Sequence, residues 1–415
     1  YVIRINKLMK NTATKISGYS IANIPNTING VALGNAGVSV LLKLMGELFQ
    51  VSHYTVYISL FFFSLSGLLM LTYVLKICLH YSTAISTDFS FSNPLILARS
   101  GVYCMSWSLI GSMLSSDAIG LPILFPQSFI LIGGCIQIIA MSCFIVTCYR
   151  TQTLPEPFFN AAILSFVFPA ITLPGNGEVV MQIRFLCLAI GILLFLGIVP
   201  VEVWRTVVVT WKRGSPIVAK DSSVAMLQSG AATICSAWHV SPLTGSAVEG
   251  LGGIIGHVVF AISTLMMITT LVAIYQRRDL LYALGVHHPG WSAFSFPFAN
   301  TSIAACLYLR SRLMYLQQSA SNSSLSQYYL VLKGWVCLLT ICAMCIVLVV
   351  NTIYIVNRLF AGIPVTSPAQ EDEMEIMSMN VCKNDNEIQY QPDTMNDDCI
   401  DEESIIVIPT SFISC

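Results

Sequence analysis

The chain has 415 residues, of which 55% are hydrophobic and only 10% charged. Soluble domains carry roughly 25% charged residues, so this composition excludes a water-facing globular protein and points to one built in lipid. The formal charge of −1 averages two unlike parts: from Glu371 onward there are twelve acids and one base, Lys383, which leaves residues 1–370 with nineteen bases, nine acids and a net of +10.

In chain order, residues 1–20 read as a basic, polar segment (Arg4, Lys7, Lys10, Lys15) in which the apolar run of a cleavable signal peptide is not evident. Because Tyr1 is not an initiator methionine, a preceding segment is expected. Residues 21–360 then read as one domain of ten apolar spans, at about 28–48, 54–77, 94–114, 129–149, 158–173, 179–201, 224–239, 251–275, 291–309 and 328–356. A crossing helix needs ~20 mostly apolar residues. Residues 361–415 are acidic and poor in aromatics, which predicts a disordered cytoplasmic tail. Its closing run, IIVIPTSFISC, is apolar and has no assigned partner.

Odd and even spans differ. Even spans are long apolar runs, whereas odd spans are shorter and richer in Gly, Pro, Ser, Thr and Asn. Helix breakers and small polar groups are tolerated at membrane depth where they face protein or a watery cavity. The expected fold is therefore an all-α polytopic membrane protein: ten transmembrane helices as five hairpins around a central pore, odd helices inner and even helices outer. Gly34, Pro169 and Pro297 are the expected lining or kink residues. Close packing through small residues is the alternative explanation, but it does not require the internal prolines.

Basic residues fix the orientation. Fifteen of the twenty fall before the first span, at or beyond the ends of even spans, or after the last. Positive charge inside then places both termini in the cytoplasm, with Arg99, Arg205, Arg277 and Arg278 at an anion-attracting rim. The Asn322-Ser-Ser sequon falls in an outside loop and is the glycosylation candidate, whereas Asn300-Thr-Ser lies inside a span.

No phosphate-binding glycine loop, metalloprotease helix or catalytic triad spacing occurs, so neither an ATP-driven pump nor an enzyme is expected. Most of the fourteen cysteines lie in apolar spans, where Cys acts as a small hydrophobe. Neither Cys342/Cys345 nor His287-His288 has the further ligands that structural zinc uses. No cofactor, metal or nucleic acid is expected. Lys43, Glu47, Arg99, Arg184 and His257 are ionisable groups in or near spans, each a transport candidate; against this, the long side chains near span ends reach the interface, and His257 reads as a packing residue. No Asp or Glu falls mid-span, which favours a passive path, and a basic mouth suits anions.

Three segments carry a resemblance: Gly30-Val-Ala-Leu-Gly34-Asn-Ala-Gly37 with Gly46-Glu47-Leu48-Phe49, Ser92-Asn93-Pro94, and Gly290-Trp291-Ser292-Ala293-Phe294-Ser295-Phe296-Pro297. Together they resemble the tellurite-resistance/dicarboxylate transporter family of bacterial tellurite-resistance channels, fungal malate and sulfite transporters and plant slow anion channels. The resemblance implies a homotrimer of ten-helix subunits, one pore each, plugged by a phenylalanine of the ninth helix. That residue is Phe296, with Phe294 the runner-up on another helix face. Ser292 departs from the motif, since many members have a second tryptophan there. The expected function is passage of small anions through a phenylalanine-gated channel in the plasma membrane. The alternative is secondary transport of malate or another C4-dicarboxylate, sulfite or tellurite; a third reading is a membrane receptor or sensor. Ser367, Ser378 and Ser404 are candidate sites for a regulatory kinase acting on the tail.

Overall fold

The computed structural model describes residues 24, 26–88, 94–114, 122, 124–151, 159–173, 177–204, 225–240, 251–276, 291–318 and 323–355. The basic head 1–20 and the acidic tail 361–415 lie outside them. Among the described residues there is no strand. The described residues form eleven helices: α1 (Ile28–Phe49), α2 (Ser52–Leu79), the short α3 (Tyr81–Asp88), α4 (Pro94–Leu114), α5 (Leu124–Thr151), α6 (Phe159–Thr172), α7 (Glu178–Val203), α8 (Leu227–Val240), α9 (Leu251–Gln276), α10 (Ser292–Gln318) and α11 (Ser323–Ile355). The ten longer ones coincide with the ten predicted spans. The largest departure is α10, which continues past its predicted end at Leu309. Arg310 and Arg312 signal an interface in sequence, but Arg312 is buried, and its Nη2 donates to the Gly253 carbonyl at 3.0 Å. With its charge hydrogen-bonded and lying 5.6 Å over the Tyr308 ring, Arg312 does not end the helix.

Six helices, α1, α2, α5, α7, α9 and α11, are long and apolar enough to cross a membrane. In α1, 72% of the most apolar stretch is buried, against 22–39% in the other five. Those five turn large side chains such as Phe61, Leu68, Ile139, Leu193, Leu265 and Ile341 outward, as a lipid-facing surface requires. By contrast α4, α6, α8 and α10 carry buried polar residues, among them Ser106, Asn160, Thr233 and Asn300. Walled in by protein, these four need not be apolar all round.

Contacts among the buried helices close on themselves. α1 packs against α4 and α10, α4 against α6, α6 against α8, and α8 against α10. Each also packs against a more exposed partner: α2, α5, α7, α9 and α11 respectively. Only Gln50 and Val51 link α1 to α2, and Gln50 takes the left-handed conformation (φ 56°) that turns a helix end sharply.

Hydrogen bonds across these contacts are short and buried. Asn35 and Asn351 exchange amide bonds at 2.9 and 2.8 Å between α1 and α11. The Ser39 and Ser59 hydroxyls each donate to the other's carbonyl, at 2.8 and 2.9 Å. Asn300 donates to Thr233 Oγ1 at 2.7 Å, joining α10 to α8. Such bonds within membranes contribute about 0.6 kcal/mol each on average, but an orphaned partner costs more than the bond yields. Replacing Asn35 alone by Leu therefore lowers stability by about 1–3 kcal/mol, and replacing both Asn35 and Asn351 by Leu recovers part of that loss. Thermal unfolding of the purified protein in detergent checks this; a double variant less stable than the single one contradicts it.

Candidate functional site

The close approach of α1 and α10 sets the site. A Cβ placed at Gly34 would lie 2.4 Å from Ser295 Cβ, and one at Gly37 would lie 3.1 Å from Ala299 Cβ and 3.4 Å from the Phe296 ring. At Gly34 glycine is required by contact, since even a methyl group does not fit unless Ser295 shifts, whereas at Gly37 the fit is tight. Ser295 Oγ spans the same seam, within hydrogen-bond reach of the carbonyls of Gly30 (2.9 Å) and Ser292 (2.7 Å).

This seam carries Phe296 into a cluster to which all five mutually packed helices, or the turn leading into them, contribute. Its members are Leu33 and Ala36 of α1, Met105 and Leu109 of α4, Leu164 and Phe168 of α6, Met226 just ahead of α8, and Phe296 of α10, every one at most 4% exposed. The Phe168 and Phe296 rings lie 5.6 Å apart, tilted by 49°. Each is followed by a proline inside its helix, Pro169 and Pro297. A helix-internal proline has no N–H for the carbonyl four residues back and loosens the turn there. Thr301 Oγ1 donates to the Pro297 carbonyl at 2.9 Å.

Phe294 faces elsewhere. It clusters with Ala225, a pair against which Ile274, Trp291, Phe298 and Ile346 pack, and its ring lies 5.4 Å from that of Trp291. The two sequence candidates therefore occupy separate environments, and Phe296 is the one within the shared cluster. Against Phe296 lies a cavity of about 40 Å³ lined by residues that include Asn26, Thr27, Gly30, Met226, Ser292 and Pro297.

Other expected residues are placed as follows. Arg99 falls within α4; Arg205, Arg277, Arg278 and Asn322 lie outside the described residues. Glu47 pairs with Arg310 at 3.1 Å, both about half exposed, a contact of little energetic weight. Arg184 donates to the Leu173 carbonyl, and Lys76, although buried, reaches the Ile24 carbonyl at 2.6 Å. His257 Nδ1 shares a 2.6 Å hydrogen bond with the Tyr308 hydroxyl.

Two features escape the sequence reading. Glu202, one residue past the predicted end of its span, is fully buried and accepts a 2.7 Å hydrogen bond from Asn160; a lone acid within Val199-Pro-Val-Glu-Val was the available signal. Phe168 was equally legible, since Phe168-Pro169 repeats the Phe296-Pro297 pair.

Residues 23–355 match the SLAC1 family model, described as a voltage-dependent anion channel. None of the curated proteins matches the chain.

The α1–α10 seam is open to direct test. Gly34→Ala forces the helices apart against Ser295 and, as overpacking, costs about 1–3 kcal/mol, whereas alanine at Gly67, where a Cβ would meet nothing within 4 Å, is tolerated. Thermal midpoints of the two variants in detergent should differ accordingly; equal midpoints would refute the contact.

Proposed function

Since the chain belongs to the SLAC1 family of voltage-dependent anion channels, we propose that it passes small anions such as chloride or nitrate down their gradient, with Phe296 as the plug. The family and the membrane-crossing helices make it an integral membrane protein of anion transport. The observation that carries the plug is the eight-residue apolar cluster, in which helices α1, α4, α6 and α10 and the turn leading into α8 meet around Phe296 without leaving it exposed. A dry apolar constriction stops ions by denying them hydration. Swinging one ring aside beside a proline-loosened turn removes the block without rearranging five helices.

The path runs between the five buried helices, and the more exposed five shield it from lipid. With both termini cytoplasmic, each of the five buried helices starts on the cytoplasmic side and turns its positive dipole end that way. Arg99, Arg205, Arg277 and Arg278 add full charges at the same face and raise the local anion concentration. The resemblance to slow anion channels supports a homotrimer in the plasma membrane, and a kinase acting at Ser367, Ser378 or Ser404 is the regulation the tail allows.

The buried Glu202–Asn160 pair favours a second reading. A carboxylate inside the helical body is what proton-coupled uptake of malate or sulfite requires.

Expression in oocytes separates the two. Phe296→Ala should raise anion current by about tenfold or more over the parent, with little voltage dependence, because the apolar block is removed. Absence of current in both, together with saturable and pH-dependent uptake of labelled malate, would establish the transporter instead.

A further inference from the structure

Far from the plug, the buried ring of Tyr308 in α10 gathers ionisable groups from three helices. The His239 ring of α8 and the His257 ring of α9 lie steeply tilted against it, 5.4 and 5.7 Å away, and the Arg312 guanidinium stands 5.6 Å over it. Hydrogen bonding places the proton on His239. Ser311 Oγ donates to the Tyr308 carbonyl at 2.8 Å, and a hydroxyl has one proton to give. At 3.2 Å from His239 Nδ1 it must therefore accept, so the imidazole proton sits on Nδ1. Nε2 keeps a bare lone pair, buried and without a partner, and the Gly256 backbone lies against it: a Cβ there would be 3.7 Å away. A buried acceptor left unmet is rare, and on an imidazole it is where a second proton goes. His257 is exposed, and its Nδ1 lies 2.6 Å from the Tyr308 hydroxyl, which in turn lies 3.2 Å from that of the half-exposed Tyr328. That relay reverses direction when His257 takes a proton, so charging it loses no hydrogen bond. At this end of the helices packed around the ring, the other charges are Lys43 and Glu47 of α1, Glu178 and Arg184 of α7, Arg310 of α10 and Lys333 of α11. Neither acid is available to the histidines: Glu47 pairs with Arg310, and Glu178 lies exposed beside Gln182. Glu249 lies outside the described residues.

We propose that this cluster is a proton-binding site at the outer mouth, through which acid outside the membrane opens the pore. It rests on the channel reading and its orientation, and adds a ligand, the hydrogen ion, bound away from the plug. Near neutral pH the Tyr308 ring meets one cation, Arg312, which an aromatic face accommodates. In the ordinary histidine range His257 and His239 charge as well, and three positive groups then surround one ring. Like charges a few ångströms apart repel far more in such partly buried surroundings than in water. The repulsion acts on α10, to which Tyr308, Ser311 and Arg312 all belong. The same helix carries Phe296 twelve residues earlier, about 18 Å away at 1.5 Å per residue, and Pro297 loosens the turn between them. Pushing the outer half of α10 off α8 and α9 rocks the helix at that turn and draws Phe296 from its cluster.

Two measurements on the full chain test this. Acidifying the outer bath from about pH 7.5 to about pH 5.5, across the histidine range, should raise the parent's anion current in oocytes by about fivefold or more, as repulsion at this range allows. His239→Gln combined with His257→Gln keeps a hydrogen-bonding side chain at both places and should flatten the response. In Phe296→Ala, where the plug is gone, outer acid should add little. In detergent, where no current is needed, the thermal midpoint of the parent should fall over the same pH range and that of the double variant should fall less. Protons favour the unfolded chain, whose imidazoles are free of Arg312. Equal pH dependence of the two midpoints overturns the site, as does a current response that survives in the double variant or comes only from acid on the cytoplasmic side. If Phe296→Ala conducts while outer acid leaves the parent silent, or if acid still raises the Phe296→Ala current, the route through the plug is overturned. If the midpoints differ as expected but neither protein conducts at any pH, the proton site stands and the channel reading falls.

Discussion

The architecture depends on the bare contact between α1 and α10. Gly30, Gly34 and Gly37 let the two backbones approach until Ser292, Ser295 and Ala299 fill the space that side chains would take. With no hydrophobic drive between helices in lipid, such contact is among the strongest attractions available. It brings Phe296 against α1 and so into reach of α4, α6 and the head of α8. Were α10 to stand a few ångströms farther off, the cluster would lose its centre and the cavity would widen.

Around that seam, polar groups specify position at modest energetic gain. The Asn35–Asn351 pair, the Ser39–Ser59 exchange and the Asn300–Thr233 bond each join one helix to a particular neighbour at a particular height. Apolar contacts alone tolerate sliding, but an amide bonded to an amide has one register. Charge plays little part in the interior: the Glu47–Arg310 pair is half exposed. The buried Arg312 is held by the Gly253 carbonyl and the Tyr308 ring, and the buried Glu202 by Asn160.

Much of this could be read from the sequence because lipid makes an apolar run long and unbroken, so helices such as α4 begin and end where the runs do. The reading failed where a polar residue is satisfied by tertiary contact. Arg312 looked like a helix end until Gly253 supplied an acceptor, and Glu202, just past the predicted end of its span, is buried because Asn160 supplies a donor. The site was half legible: motif placed Phe296, but periodicity could not tell which face carries Phe294, nor that Phe168 meets Phe296 from another helix. That pairing joins positions 128 residues apart in sequence, beyond any local pattern.

The polar content of α4, α6, α8 and α10 bears on how the protein is made. None of these four has the length and apolarity to partition into a bilayer by itself, and buried polar residues such as Asn300 would be stranded in lipid until a partner arrived. Each, however, is followed in the chain by a long apolar helix, α5, α7, α9 or α11, against which it packs. Insertion by pairs meets this constraint, each polar helix entering the bilayer with the apolar successor that covers it. Synthesis paused between the members of a pair leaves the earlier one with nowhere to go.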